Sequence, residues 1–247
     1  MDNTPRLRMF AGPNGSGKST IKDVIPTQLK GVYINPDDIE IDARESGAIH
    51  FDDYSVYMPK ADIEHYFYQS PLTEKASLAP TLETLHFEDN CIRFCSNSVP
   101  GSYIASIAAS LIREQLIASK VSFTFETVMS SADKIGVLKK ARDAGFKNYL
   151  YYIATDDPDI NIQRVQNRVN AGGHTVPNDK ICKRYYRSLD LLIEAIKLAD
   201  RAFIFDNSSN QDIWLAEVTP SGEIEIKVEE LPNWFHKNIS CKLDTST

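Results

Sequence analysis

The sequence has few of the features that mark zinc-binding, secreted or membrane-spanning proteins. Its 247 residues include four cysteines, no Cys-x-x-Cys pair, and no histidine at zinc-finger spacing from a cysteine. No apolar run approaches the roughly 20 residues that a membrane-spanning helix needs, and the N-terminus lacks the basic start and apolar stretch of a signal peptide. We therefore expect reduced thiols, no membrane partner and a cytoplasmic location.

Positive charge is also scarce. The chain carries 27 lysines and arginines against 34 aspartates and glutamates, a formal net charge of −7. A general nucleic-acid binder presents a basic face, so nucleic acid is not an expected partner. Hydrophobic residues make up 42% and charged residues 25%, which is ordinary for a globular protein with a substantial core.

Short apolar strands alternate with amphipathic helices along most of the chain. This alternation is typical of βαβ units and predicts an α/β fold with a five-stranded, mainly parallel sheet in a three-layer sandwich. The predicted strands are 7–11, 32–34, 122–127, 149–154 and 202–205. The predicted helices are 18–29, 102–119, 131–144, 158–171 and 178–199.

Two stretches depart from that rhythm. Residues 48–99 show weak periodicity, and because a structureless loop of that length is uncommon in a compact domain, we predict a helical insertion with helices near 59–69 and 85–95. Within 211–230, two strands flank Thr-Pro-Ser-Gly, which predicts a C-terminal β-hairpin.

Residues 12–19 read Gly-Pro-Asn-Gly-Ser-Gly-Lys-Ser and match the P-loop pattern G-x-x-x-x-G-K-[ST]. Such glycines let successive backbone N–H groups face a phosphate, and the following helix presents its positive end to the same anion. Lys18 is expected to reach the β- and γ-phosphates, and the Ser19 hydroxyl to bind Mg²⁺. The predicted nucleotide-binding residues are Gly12, Asn14, Gly15, Ser16, Gly17, Lys18, Ser19 and Thr20. No Asn-Lys-x-Asp motif of GTPases is present, which favours ATP over GTP.

Four further segments carry a family resemblance. They are Tyr-Ile-Asn-Pro-Asp-Asp at 33–38, Phe-Thr-Phe-Glu-Thr at 123–127, the stretch 164–189 with its Gly-Gly-His-Thr-Val-Pro element, and Asp-Asn-Ser at 206–208. With the P-loop, they resemble the zeta-toxin-like branch of P-loop kinases over about 7–47 and 100–208. Zeta toxins phosphorylate a UDP-activated amino sugar and are paired with antitoxins. The resemblance thus implies an ATP-dependent kinase with Mg²⁺, a small-molecule hydroxyl as acceptor, such as that of a nucleotide sugar, and an antitoxin as a candidate partner.

The resemblance assigns roles to residues beyond the P-loop. Asp37 follows the second strand, where the family keeps its catalytic base; capping of the next helix is the alternative for Asp37 and the favoured role of Asp38. Glu126 ends an apolar strand, where a charge needs a partner or a function, and it is expected to bind substrate with Thr127.

The segment 160–190 is expected to act as a lid. Its arginines at 164, 168, 184 and 187 form a basic cluster that would neutralise charge on the transferring phosphoryl group, with Arg168 and Arg184 ranked first as catalytic residues. Gly172 and Gly173 would let the backbone move, and His174 would contact substrate. Asp156 resembles a Walker-B carboxylate by position, but the Asp-Pro that follows it favours a helix-cap role.

We therefore predict that residues 1–247 form one P-loop kinase domain. Two alternatives stay open from the sequence. One is a nucleotide-binding switch or ATPase that acts on a partner protein through 48–99, which would need neither an acceptor base nor a basic lid. The other is a polynucleotide kinase, which the acidic composition opposes.

Overall fold

The computed structural model describes residues 3–21, 25–95, 101–172, 175–209 and 211–243. The chain divides into two compact units. The first unit comprises the chain up to Lys30 and from Thr124 onward, and the second comprises Gly31–Phe123. Within the described ranges, no helix combines the length and the apolar character needed to cross a membrane.

The strands are short and mostly apolar. In chain order they are β1 (Arg6–Ala11), β2 (Val32–Ile34), β3 (Ala48–His50), β4 (Leu85–Glu88), β5 (Cys91–Phe94), β6 (Phe123–Thr127), β7 (Lys147–Ala154), β8 (Arg201–Asp206), β9 (Ile213–Val218) and β10 (Ile224–Ile226). All five strands predicted for the parallel sheet are present, with ends that differ by at most two residues from the predicted ones.

The first unit is built on strands in the order β10-β9-β8-β7-β1-β6. β1 and β8 both lie parallel to β7, whereas β9 is antiparallel to β8 and β10 is antiparallel to β9. The predicted α/β fold class, a mainly parallel sheet followed by a C-terminal hairpin, is confirmed.

Aromatic rings pack across the three parallel strands on one face of this sheet. Phe10, Tyr151 and Phe203 occupy one row of the register, and their ring centroids lie 4.8 Å and 4.9 Å apart in stacked geometry. A buried cluster of Phe10, Ile21, Ile25, Ile153 and Phe205 adjoins this row. Stacked rings and buried aliphatic groups together stabilise the strand ends that carry the P-loop.

The helices are, in chain order, α1 (Lys18–Ile21), α2 (Thr27–Lys30), α3 (Pro36–Ser46), α4 (Lys60–Gln69), α5 (Pro71–Lys75), α6 (Ala79–Leu82), α7 (Ser102–Ala118), α8 (Asp133–Asp143), α9 (Pro158–Asn170), α10 (Asn178–Asp190), α11 (Leu192–Leu198), α12 (Asn233–Phe235) and α13 (Cys241–Leu243). A 3₁₀ turn spans Phe51–Tyr54 and a π-helical turn spans His236–Ser240. The predicted helices at 102–119, 131–144 and 158–171 correspond to α7, α8 and α9.

The single helix predicted at 178–199 is wrong, because the structure has two helices, α10 and α11, that meet at Leu191. No proline or glycine lies between residues 178 and 199. The break therefore has no local sequence signal of the kind that ends most helices.

The second unit contains a three-stranded antiparallel sheet in the order β3-β5-β4. The helix predicted near 59–69 is confirmed as α4, whereas the helix predicted near 85–95 is wrong because β4 and β5 form a hairpin there. Residues of β4 alternate between buried and exposed, as in Leu85-His86-Phe87-Glu88. This period of two is typical of a strand with one covered face. Asn90 turns the hairpin with a φ of 58°.

Candidate nucleotide-binding site

The P-loop lies where the sequence predicts it, after β1 and before α1. At two positions of the loop, neighbouring atoms lie too close for any residue but glycine. Gly12 has a φ of +149°, and a Cβ there would lie 2.0 Å from the carbonyl oxygen of Ile153; Gly17 has a φ of +93°, and its Cβ would lie 2.0 Å from Nδ2 of Asn207. Any side chain would force these contacts apart, so the tight turn of the loop depends on glycine at both positions.

The amino group of Lys18 is held at the start of the loop. Its Nζ donates hydrogen bonds to the carbonyl oxygens of Gly12, at 2.9 Å, and Pro13, at 3.0 Å. The Thr20 hydroxyl lies 2.6 Å from the Gly17 carbonyl oxygen and 3.1 Å from Oδ2 of Asp212. The lysine cation is thereby positioned on the loop that would receive a phosphate.

Two buried asparagines contact alternate carbonyl groups of the loop. Nδ2 of Asn161, near the start of α9, donates to the carbonyl oxygen of Asn14 at 2.6 Å. Nδ2 of Asn207, directly after β8, donates to the carbonyl oxygen of Ser16 at 2.9 Å. No sequence motif points to Asn161, and Asn207 stands out only within the Asp-Asn-Ser segment of the family resemblance. Both partners are distant in the chain, so no local pattern identifies these contacts.

The predicted lid arginines differ in what they contact. Nη1 of Arg184, on α10, lies 3.4 Å from Oδ1 of Asn14, which brings this cation to the P-loop. Arg164, on α9, donates to the carbonyl oxygens of Asn207, at 2.7 Å, and Ser209, at 3.0 Å, and so holds the segment after β8. Arg168 and Arg187 are exposed. Gly173 and His174 lie outside the described residues, and the predicted substrate contact of His174 stays a prediction.

A buried tyrosine of α10 anchors that helix to the residue that follows β7. Tyr185 donates its hydroxyl to the carbonyl oxygen of Thr155 at 2.6 Å. Burial raises the pKa of Tyr185 above its usual range, and the negative charge of Asp156 adds to the increase. The phenol is therefore protonated at physiological pH and remains a hydrogen-bond donor.

A second polar network ties the C-terminal helix α12 to the end of β8. Nε1 of Trp234 donates to Oδ1 of Asp206 at 2.7 Å, and Ser208 donates to the same carboxylate from its hydroxyl, at 2.8 Å, and its backbone, at 3.0 Å. Asp206 is buried and lies beside Asn207 in sequence. No sequence motif includes Trp234, because only the fold brings this residue to the end of β8.

The helix-cap role predicted for Asp156 is wrong by one residue, because the neighbouring Asp157 caps the helix. Asp157 is the N-cap of α9, and its side chain accepts from the backbone N–H of Asp159. Asp156 is exposed; its backbone N–H donates to the Ser208 hydroxyl at 2.8 Å. The carboxylate of Asp156 lies 3.4 Å from the backbone nitrogen of Trp234, so it contributes to the C-terminal network.

The predicted substrate residues Glu126 and Thr127 end β6 and are buried in the first unit. The Thr127 hydroxyl oxygen accepts from the backbone N–H of Met129 at 3.0 Å, where the chain turns with a φ of 51°. This contact gives Thr127 a structural function at the strand end. A hydroxyl that accepts one hydrogen bond can still donate another.

Asp37 and Asp38 lie in the second unit, in the first turn of α3. Asn35 is the N-cap of α3, because its side chain accepts from the backbone N–H of Asp37 at 3.1 Å. The cap role, which was the alternative for Asp37 and the favoured role of Asp38, is therefore wrong for both aspartates. Asp38 accepts from Nδ2 of Asn35 at 3.1 Å, whereas Asp37 is exposed.

A cavity of about 250 Å³ also lies within the second unit. It is lined by residues of α3, β3 and the 3₁₀ turn, among them Asp42, Glu45, His50 and Tyr54. Burial, with the charges of nearby aspartates, raises the pKa of Tyr54 to about 12. The lining of this cavity includes none of the predicted site residues.

The P-loop residues fit a bound nucleotide phosphate and its magnesium ion. Among the described residues, the buried Ser16 hydroxyl has no hydrogen-bond partner, which leaves a polar atom inside the loop available to an anion. Ser19 is exposed at the start of α1, so its hydroxyl can reach a metal ion. Mg²⁺ in phosphoryl-transfer sites is held by few protein groups together with phosphate and water, which suits a lone hydroxyl of this kind.

The comparisons with known proteins support the fold. A chain of the crystal structure of AvrRxo1-ORF1:AvrRxo1-ORF2 with sulphate ions has a TM-score of 0.53 and 13% identity, covering 99% of this chain and 64% of that one. A chain of the same complex with ATP has a TM-score of 0.53 and 15% identity, covering 91% of this chain and 61% of that one. These likenesses, at 13% and 15% identity, show the fold alone, and they agree with the predicted α/β fold class.

Two further matches are more distant in structure or cover a shorter part of this chain. A chain from the PezAT toxin–antitoxin system of Streptococcus pneumoniae has a TM-score of 0.46 and 17% identity, covering 85% of this chain and 72% of that one. An uncharacterized protein of Haemophilus influenzae is 33% identical over 69 residues, which are 28% of this chain and 49% of that protein. No family model matches the chain. This chain thus spans less than two thirds of the AvrRxo1 chains and about half of the Haemophilus protein.

Proposed function

We propose that the protein is an ATP-dependent kinase that transfers the γ-phosphoryl group to an alcohol hydroxyl of a small molecule. The observation that carries this proposal is the convergence of two cations on one glycine-rich loop. Lys18 lies 2.9 Å from the Gly12 carbonyl oxygen, and Arg184 reaches Asn14 from the predicted lid. Phosphoryl transfer depends on positioned cations that stabilise charge on the phosphate oxygens.

Each predicted residue has a role in this proposal. The P-loop backbone and Lys18 hold the β- and γ-phosphates, and Ser19 holds Mg²⁺, which supplies charge neutralisation when bound. Arg168 and Arg184 stabilise the transferring group, and Asp37 accepts the proton of the acceptor hydroxyl. Glu126, Thr127 and His174 contact the acceptor. The crystal structure of AvrRxo1-ORF1:-ORF2 with ATP supports the choice of nucleotide.

A nucleotide sugar is the acceptor class that the sequence resemblance favours. The same resemblance makes an antitoxin protein a candidate partner, and the AvrRxo1 neighbour was solved as a complex of two proteins. These finer assignments of acceptor and partner rest on the sequence resemblance together with the fold.

The proposal is tested by incubating the protein with Mg·ATP and a metabolite extract and searching by mass spectrometry for a compound that gains one phosphate. We expect at least one such product with the wild-type chain and none with Lys18→Ala. ATP hydrolysis without any phosphorylated product, with extract or with nucleotide sugars, would favour an ATPase or switch instead. A phosphorylated nucleic acid as the product would favour a polynucleotide kinase.

A further inference from the structure

Two carboxamides fix the direction of two peptide groups in the P-loop. The carbonyl oxygen of Asn14 accepts from Asn161 and that of Ser16 accepts from Asn207, at 2.6 Å and 2.9 Å. Both asparagines are buried, with exposed fractions of 0% and 9%. A hydrogen bond in such surroundings is stronger than one in water, because solvent does not compete for the groups.

The orientation of each carboxamide follows from its other contacts. Oδ1 of Asn161 accepts from the Thr155 hydroxyl, so Nδ2 must face the loop. Thr155 is in turn held through its carbonyl group by Tyr185 of the predicted lid. Asn207 is held by its backbone, whose N–H donates to the Ala154 carbonyl oxygen at 2.8 Å and whose carbonyl accepts from Arg164.

Peptide planarity links the direction of each carbonyl group to that of the N–H group of the next residue. In a trans peptide the C=O and the following N–H point in opposite directions. Directing the Asn14 and Ser16 carbonyl groups toward the two asparagines therefore directs the N–H groups of Gly15 and Gly17 away from them. A Cβ at Gly15 would also lie 2.7 Å from the backbone oxygen of Asn161, so this side of the loop is filled.

We propose that Asn161 and Asn207 are positioning residues that aim the N–H groups of Gly15 and Gly17 at the nucleotide phosphates before nucleotide binds. This inference rests on the proposed function, since it assumes that the loop binds a nucleotide. A prearranged set of donors lowers the cost of ordering the loop on binding and so raises affinity for the phosphates. The pair is named the carboxamide clamp.

The chemistry of the clamp requires a neutral donor. An aspartate of the same shape has no N–H, so it would face the loop carbonyl with a second acceptor and place a negative charge near the phosphates. Protonation would convert one carboxylate oxygen to an O–H donor and restore part of the contact. The aspartate variants should therefore recover affinity as the pH falls.

The test compares Asn161→Asp and Asn207→Asp with Asn148→Asp. Asn148 is a matched control in the same unit: it is 0% exposed, and its Nδ2 donates to the carbonyl oxygens of Leu138 and Leu198, at 2.8 Å and 3.0 Å. Calorimetry would give the Kd for Mg·ATP from pH 5.5 to 8, and thermal unfolding would give the stability of each variant. We expect each clamp variant to weaken Mg·ATP binding at least about 10-fold at pH 8 relative to wild type. That ratio should shrink toward pH 5.5, while Asn148→Asp keeps the wild-type Kd.

Thr155→Val and Thr155→Ser provide a milder second test that does not bury a charge. Valine keeps the shape but removes the hydroxyl that orients Asn161, so affinity should fall about 3-fold or more, and serine should restore it. Equal Mg·ATP affinity in wild type, the clamp variants and Thr155→Val would overturn the clamp, as would an equal loss in Asn148→Asp. A wild-type chain that does not bind Mg·ATP would overturn the proposed function and the clamp together.

Discussion

At the scale of single residues, Lys18 shows how the P-loop is prepared for an anion. Its ammonium group is satisfied by the Gly12 and Pro13 carbonyl oxygens. A phosphate offers negatively charged acceptors, which attract the ammonium group more strongly than the neutral carbonyl oxygens do. In the proposed function, the exchange of carbonyl partners for phosphate partners would favour the nucleotide-bound state.

Asp37 is the residue whose proposed role carries most of the chemistry outside the P-loop. We predict that Asp37→Asn keeps near-normal Mg·ATP affinity, because the proposed function assigns the nucleotide and its metal ion to Lys18 and Ser19. Transfer to the acceptor should fall by about 10²–10⁴-fold, the usual contribution of a positioned acid–base group. Hydrolysis to water should fall less, since water is not a fixed acceptor.

Asp38→Asn is the matched control, since Asp38 lies beside Asp37 in the same turn and contacts Asn35. We expect it to keep transfer activity with a small loss of stability. Nucleotide affinity and acceptor phosphorylation are measured side by side in all three chains. Loss of Mg²⁺-dependent ATP binding in Asp37→Asn would place Asp37 at the metal, with Glu126 the next candidate base. Full transfer activity would leave the kinase assignment and remove Asp37 from the site.

At the scale of elements, the strands and the P-loop are predictable from the sequence because their signals are local. The pattern of glycines and lysine at 12–19 and the apolar runs of β1, β7 and β8 all appear within short windows. The hairpin of β4 and β5 also has a local signal, because apolar and polar residues alternate from Leu85 to Glu88, a pattern that favours a strand over the helix predicted there.

The contacts that hold the P-loop could not be predicted, because they join residues far apart in sequence. Asn161 and Asn14 are 147 residues apart, and Asn207 and Ser16 are 191 residues apart. Asparagine is common in turns and caps, so its presence at a strand end carries no specific signal. The break between α10 and α11 is similarly hard to predict, since no proline or glycine lies between residues 178 and 199.

The predicted lid includes α9 and α10, which contain the arginines expected to act in catalysis. Arg184→Ala and Arg168→Ala should each lower kcat more than they weaken Mg·ATP binding, because their contacts to the phosphoryl group are expected mainly in the transition state. Lys183→Ala is the control on α10, since Lys183 is exposed and pairs with Asp179 at 3.2 Å. Steady-state kinetics and calorimetry separate the two effects. An arginine variant that loses only ATP affinity, with kcat unchanged, would be a ground-state binder.

At the scale of the whole molecule, the chain divides into two compact units. In the second unit, Phe67 is fully buried and its ring lies 5.7 Å from that of Phe87 in edge-to-face geometry. Phe67→Ala should cost about 3–5 kcal/mol of unfolding free energy, as large-to-small core substitutions do. Where the variant remains folded, Mg·ATP affinity should be unchanged, because the P-loop contacts described above come from the first unit.

Denaturant unfolding followed by calorimetry on the folded variant measures both quantities. Leu150→Ala is a comparison in the first unit, where Leu150 is fully buried in β7. A large loss of Mg·ATP affinity in folded Phe67→Ala would show that nucleotide binding depends on the second unit as well.

The proposed function requires that the P-loop bind Mg·ATP and that Lys18 promote phosphoryl transfer. Single-turnover transfer of the γ-phosphoryl group from Mg·ATP, compared between wild type and Lys18→Ala, tests this requirement. The exposed Lys139 of α8 supplies the control variant Lys139→Ala. We expect transfer in wild type and Lys139→Ala, and none above background in a folded Lys18→Ala chain. Full transfer by folded Lys18→Ala, with unchanged circular dichroism and melting temperature, would contradict the P-loop mechanism.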